Sequence, residues 1–171
     1  MHSCGAMAVF VRAERAVLAM SARGWFAIRA ALTVVVLAGL AVDVYVHFDL
    51  ASSYAAVKSS TLSQADLFRA EGVVALIAAV ALLVRPRRYT AGFAFLVAAA
   101  GTAAVVVYRY VDIGAFGAFP NMYENIWYTE KTLSAWAEGI AALAALALFM
   151  ALHVQTRRTT DAAVPLDASR V

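Results

Sequence analysis

Four stretches of this chain are helix-length and almost free of charge, and that restricts its possible folds more than any other feature. They run from about Trp25 to Val46, Ala65 to Val84, Tyr89 to Tyr110 and Thr132 to Val154. A spanning helix needs about 20 mostly apolar residues to cross a hydrocarbon layer of roughly 30 Å. Inside that layer only a structure that satisfies its own backbone hydrogen bonds is stable. The composition agrees: 64% of the 171 residues are hydrophobic and 15% charged, against about 45–50% and about 25% in soluble domains. The mean hydropathy is +0.77. The first span is not a cleavable signal peptide, because no small-residue cleavage site follows it and Asp43 interrupts its end. The expected fold class is all-α: a polytopic membrane protein whose four transmembrane helices form two tandem helical hairpins in a four-helix bundle.

Arginine placement sets the expected orientation. Arg12, Arg15, Arg23 and Arg29 precede the first span, Arg85, Arg87 and Arg88 fill the turn between the second and third, and Arg157, Arg158 and Arg170 follow the fourth. These are ten of the fourteen basic residues, whereas eight of the eleven acids fall on the other side or its helix ends. A multi-pass protein of a bacterial plasma membrane with both termini in the cytoplasm is expected. Twelve arginines against two lysines, Lys58 and Lys131, with abundant alanine, suggest a GC-rich genome.

Three regions follow. Residues 1–24 form a cytoplasmic segment, 25–154 the membrane domain, and 155–171 a polar tail without periodicity, expected to be disordered. Residues 8–20 read either as an interfacial amphipathic helix, with Phe10, Ala13, Val17 and Met20 on one face, or as an extension ahead of a start at Met20. The one cysteine, Cys4, cannot form an internal disulfide or a redox pair, and no lipobox precedes it.

The chain reads as a tandem repeat. "VYVHFDL" (44–50) matches "VYRYVDI" (107–113), pairing Tyr45 with Tyr108 and Asp49 with Asp112. "AEGVVAL" (70–76) matches "AEGIAAL" (137–143), pairing Glu71 with Glu138 and Gly72 with Gly139. The halves, about 25–88 and 89–158, would be related by an axis along the membrane normal.

Carboxylates stand at the outer ends of the apolar runs. Asp43 lies 14 residues after Arg29 and Glu71 the same distance before Arg85. That is about 21 Å at about 1.5 Å per residue, within the outer third of the membrane. Glu138 lies at a similar depth, and His47 shares a helix face with Asp43 at i+4. Ionisable groups at that depth must be paired or face a wet cavity. One reading is an ion-pair network in which Arg69 and Arg109 neutralise Asp43, Glu71 and Glu138. The other is an outward-facing pocket lined by these groups with Tyr45, Tyr108 and Tyr110, near Asp49 and Asp112.

Asp43, His47, Glu71 and Glu138 are candidate metal ligands by residue type, although no tight ligand motif is present. His47 and His153 fall on opposite sides and cannot ligate one haem. No cofactor is firmly implied; a quinone or other small hydrophobic ligand would suit the aromatic lining. Thr61 with Gln64 reads as a capping box for the second span. The loop 116–131 is aromatic, and Tyr123, Glu124, Trp127 and Glu130 are candidates for an interfacial belt, a lid or a partner surface.

"YVHFDL", "SQADLFRAEG" and "YRYVDIG…PNMYE…TEKTLSAWAEG" resemble a group of uncharacterised actinobacterial four-span integral membrane proteins with a DoxX-like layout. The resemblance covers about residues 25–152. It implies an association with quinone-linked redox chemistry of the kind found in a few DoxX-like relatives, and it carries no catalytic residue across. The expectation is a non-enzymatic accessory or binding protein whose partners are the lipid bilayer and another membrane protein or a quinone, with no nucleic acid. A quinone-associated redox accessory and a small carrier or cation-binding protein are the alternatives.

Overall fold

The computed structural model describes the backbone of residues 3–162 and the side chains of residues 23–155. It is all-helical. Helix α1 (Ser3–Ala51) leads through a 3-10 turn (Ser52–Tyr54) and a loop to α2 (Gln64–Val84). Helices α3 (Arg88–Tyr110) and α4 (Thr129–Ala162) follow. No strand occurs among the described residues; the isolated bridges Lys58–Ser63 and Phe116–Phe119 only staple the two loops. Four segments, Arg23–Tyr54, Gln64–Val84, Arg88–Tyr110 and Thr129–Gln155, are long and apolar enough to cross a membrane. The expected interfacial face at Phe10, Ala13, Val17 and Met20, and Cys4, lie outside the described side chains; of the tail expected to be disordered over 155–171, residues 155–162 continue α4 and the rest lie outside the described residues.

The helix starts follow local chemistry. Ser63 caps α2: its Oγ accepts the Asp66 amide at 3.2 Å, and Asp66 Oδ2 accepts the Ser63 amide at 3.0 Å. This corrects the expectation of a box at Thr61 and Gln64. Ser59 Oγ accepts the amides of Thr61 and Leu62, and the Ser59 amide donates to the Leu62 carbonyl. That turn holds the chain non-helical until Ser63. At the opposite end of the bundle, Thr90 Oγ1 accepts the Arg87 amide and closes the three-residue connection from α2 to α3.

Size, not polarity, decides what faces inward. Ala75, Ala78, Ala91, Ala94, Ala98, Ala141 and Ala145 are fully buried, with Val36, Leu40, Leu82 and Leu148 between them. Large side chains such as Leu83, Leu96, Trp136 and Leu143 point outward and are more than half exposed. Small residues let helix backbones approach, and large apolar ones suit a lipid-facing surface. At the α1–α4 crossing the approach is so close that a Cβ on Gly39 would stand 2.7 Å from the Ala137 carbonyl oxygen. Helix α1 packs along α2 and α4, and α3 along α4, whereas α2 and α3 meet over a shorter stretch.

Candidate functional site: a buried carboxylate cluster beside a cavity

Asp43 and Glu138 are fully buried and face each other from α1 and α4. His47, one turn after Asp43, brings Nδ1 within 2.6 Å of Asp43 Oδ1. The hydrogen-bond geometry of Nδ1 is met by the Asp43 carbonyl at 3.0 Å, so both Asp43 carboxylate oxygens stay without a hydrogen bond. Ser134 Oγ donates to Glu138 Oε1 at 2.5 Å, leaving Oε2 unpartnered. Glu138 Oε2 lies against Gly101 of α3, and Glu71 Oε1, from α2, lies against the same glycine. All four helices therefore meet at this level. Potential ligand atoms of Asp43, His47 and Glu138 lie within 4.8 Å of one another.

The arginines do not join them. Arg69 stands 3.4 Å from Asp66 on its own helix, with both side chains about half exposed. Arg109 lies over the rings of Tyr110 and Trp127, 5.0 and 5.8 Å from their centroids. Among the described residues no arginine or lysine forms an ion pair with Asp43, Glu71 or Glu138. The expected neutralisation by Arg69 and Arg109 is not what the geometry contains. Helix spacing explains the first case: Asp66 sits at i−3 from Arg69 and offers a partner in the solvated turn, at no desolvation cost.

Beside the cluster is a cavity of about 460 Å³. Its walls are mainly α2 (Leu67, Phe68, Val74) and α3 (Ala100, Ala104, Val105), backed by Val46 and Leu50 of α1. His47, Glu71, Tyr108 and Ser134 add polar groups to the helical part of its lining. Ala70, Val74, Ala100 and Ala104 are exposed along the gap between α2 and α3. The cavity therefore reaches the bundle surface there.

The two loops meet over it. Tyr54 Oη and Tyr128 Oη are 2.8 Å apart, and Ser59 Oγ donates to the Ala118 carbonyl at 2.7 Å. Phe116, Phe119, Met122 and Glu124 line the cavity from this side. Lys131, almost fully buried, also lines it and donates to the Glu124 carbonyl. Burial raises the Tyr128 phenol above the ordinary value, and its hydrogen bond with Tyr54 raises it further.

The other expected residues are placed elsewhere. Asp49, Tyr45 and Tyr110 are exposed. Asp112 accepts from the Gly114 amide and from Asn121 Nδ2, so it shapes the α3–α4 loop. Tyr123, Trp127 and Glu130 are exposed, whereas Glu124 turns inward. Ser134, Lys131, Gln64 and Phe68 were not anticipated. Ser134 had a signal in its i−4 spacing from Glu138; Lys131 had none, because its burial depends on the path of the loop.

No protein-family model, curated protein or solved structure matches this chain.

Proposed function

We propose that this chain is a non-enzymatic membrane protein that binds a small amphiphile in the cavity between α2 and α3. The observation that carries the reading is the cavity's mixed lining: apolar walls along a gap between helices, with polar groups such as His47, Glu71 and Tyr108 among them. Its volume, about 460 Å³, falls within the range of roughly 300–1,000 Å³ usual for ligand sites. A hydrogen-bonding ring would meet these polar groups, and an apolar tail would leave through the gap into lipid. A quinone has that chemistry, and the resemblance to DoxX-like proteins points the same way.

In this reading the bundle lies in a bacterial plasma membrane with both termini cytoplasmic and the cluster in the outer leaflet. Support comes from Arg23, Arg29, Arg85, Arg87 and Arg88 preceding or joining the spans on one side. The tandem hairpins are also part of the proposal. Glu71 and Glu138, matched in the repeat, both lie against Gly101. Their neighbours differ: a Cβ on Gly72 would meet Phe48 at 2.9 Å, while Gly139 has open space up to Thr102. A pseudo-twofold would make the α1–α4 and α2–α3 contacts equivalent. The looser of the two is where the cavity opens.

A second reading, a small carrier, is favoured by one feature: Asp43, Glu71 and Glu138 each keep at least one buried oxygen without a hydrogen bond. Proton or cation flux into vesicles, abolished by Glu71→Ala with Glu138→Ala, would support it.

Native mass spectrometry of gently solubilised protein tests the first reading. The wild type should carry a co-purified amphiphile of the host membrane, and Ala104→Trp, which fills the gap from α3, should lose it while keeping its melting temperature. A wild type free of any such molecule, or a variant that retains it, would contradict the reading.

A further inference from the structure

We propose that Asp43, His47 and Glu138 hold one first-row divalent transition cation between α1 and α4, with Zn²⁺ and Mn²⁺ as the reference ions. The site does not depend on the amphiphile reading. It names a resident ion for the cluster that the carrier reading would use as a relay.

The first argument is the unpartnered oxygen. Asp43 and Glu138 are both 0% exposed; Asp43 Oδ2 and Glu138 Oε2 accept no hydrogen bond, and Asp43 Oδ1 has only the His47 ring nitrogen 2.6 Å away. Buried polar atoms in native structures are nearly always satisfied, so each exception calls for a ligand or an ion.

The second argument is charge. Buried carboxylates are strongly disfavoured unless compensated; neither arginine reaches these two, and the one imidazole, His47, contacts only Asp43 of the pair. Two carboxylates with a neutral imidazole sum to minus two, which one divalent cation cancels.

The third argument is geometry. The candidate atoms already lie within 4.8 Å of one another. A tetrahedral ion with bonds of about 2.0–2.1 Å brings ligand atoms to roughly 3.4 Å apart, which rotation about the side-chain bonds can supply. Ser134 Oγ, bonded to Glu138 Oε1, is placed to orient that carboxylate as an outer-shell partner. Glu71 Oε1, like Glu138 Oε2, lies against Gly101 and offers a further oxygen for an open position.

The donor set selects the class of ion. One imidazole nitrogen with carboxylate oxygens suits zinc, manganese and iron. Calcium wants six to eight oxygens, and magnesium an octahedral oxygen shell, so neither suits a site of three residues of which one is an imidazole.

The test uses the full chain in detergent, stripped with a chelator and then titrated with ZnCl₂ or MnCl₂. Elemental analysis after desalting should give one ion per chain, and calorimetry should show saturable binding. Asp43→Asn and Glu138→Gln keep side-chain shape while removing a ligand charge; each should lower affinity about a hundredfold or more. Their melting temperatures in chelator should match the wild type, whereas the rise on adding zinc should vanish. His47→Gln repeats the test from the cavity side should either acidic variant fail to fold. Binding without flux supports this site and removes the carrier reading. A wild type that takes up neither ion, or variants that bind as the wild type does, would overturn the assignment.

Discussion

Gly101 on α3 lies directly against the carboxylate of Glu138 on α4: a Cβ there would stand 2.5 Å from Oε2 and 2.9 Å from Cδ. The glycine is therefore the floor on which the acidic cluster rests. Gly101→Ala should cost about 1–3 kcal/mol through overpacking. Shortening the partner, in Glu138→Ala, should recover part of that loss, so the two changes should be non-additive. Thermal unfolding of the two single variants and the double variant in detergent measures the coupling.

Ser134→Ala removes the one hydrogen bond that Glu138 has. Its Oγ donates to Oε1 inside the bundle at 2.5 Å, and leaving a buried acceptor without its donor costs about 1–3 kcal/mol. The same change at Ser59, in the loop between α1 and α2, should loosen the contact to Ala118 and leave the cluster untouched. Melting temperatures of the two variants, compared with and without zinc, separate the two roles.

The α2 start gives a cleaner comparison. Ser63→Ala should cost about 1 kcal/mol because it opens the box with Asp66. Thr61→Ala should be close to neutral, since it is the Thr61 amide, kept in the variant, that bonds to Ser59. Arg69→Ala should change stability by about 0.5 kcal/mol or less, as its pair with Asp66 is solvated.

Tyr128 gives a prediction at high pH. Burial and the Tyr54 bond raise its phenol above the ordinary value, which is about 10. A raised value means that the folded state favours the neutral phenol. This contribution is complete below about pH 10 and is lost as the pH climbs through the raised value. Spectrophotometric titration should show one of the seven tyrosines ionising last. Tyr54→Phe should bring that last step down towards the others.

The four spans were legible in the sequence because an almost uncharged run of helix length has few other structures open to it. The Asp43–His47 pair was legible for a similar reason: four residues on a helix fix a shared face. The partners of Arg69 and Arg109 were not. Spacing places a side chain on a helix face but does not set how that helix turns against its neighbours. Arg69 found Asp66 within its own first turn, and Arg109 found the aromatic rings of Tyr110 and Trp127. The cavity was illegible too, since it depends on α2 and α3 separating while α1 and α4 close up at Gly39. The α2 cap was within reach, for Ser63 and Asp66 have the capping spacing as clearly as Thr61 and Gln64 do. What decided between them was the Ser59 turn.

In the proposed function an amphiphile enters between α2 and α3 with its polar group at His47 and Glu71. Photolabelling in vesicles tests it most directly, using an isoprenoid-tailed benzoquinone with a photoreactive group on the ring. After irradiation and peptide mapping, label should concentrate on Val74, Ala104 and Val105, and Ala104→Trp should suppress it. Label spread over the outward-facing Leu83, Leu96 and Leu143, unaffected by that substitution, would contradict the account.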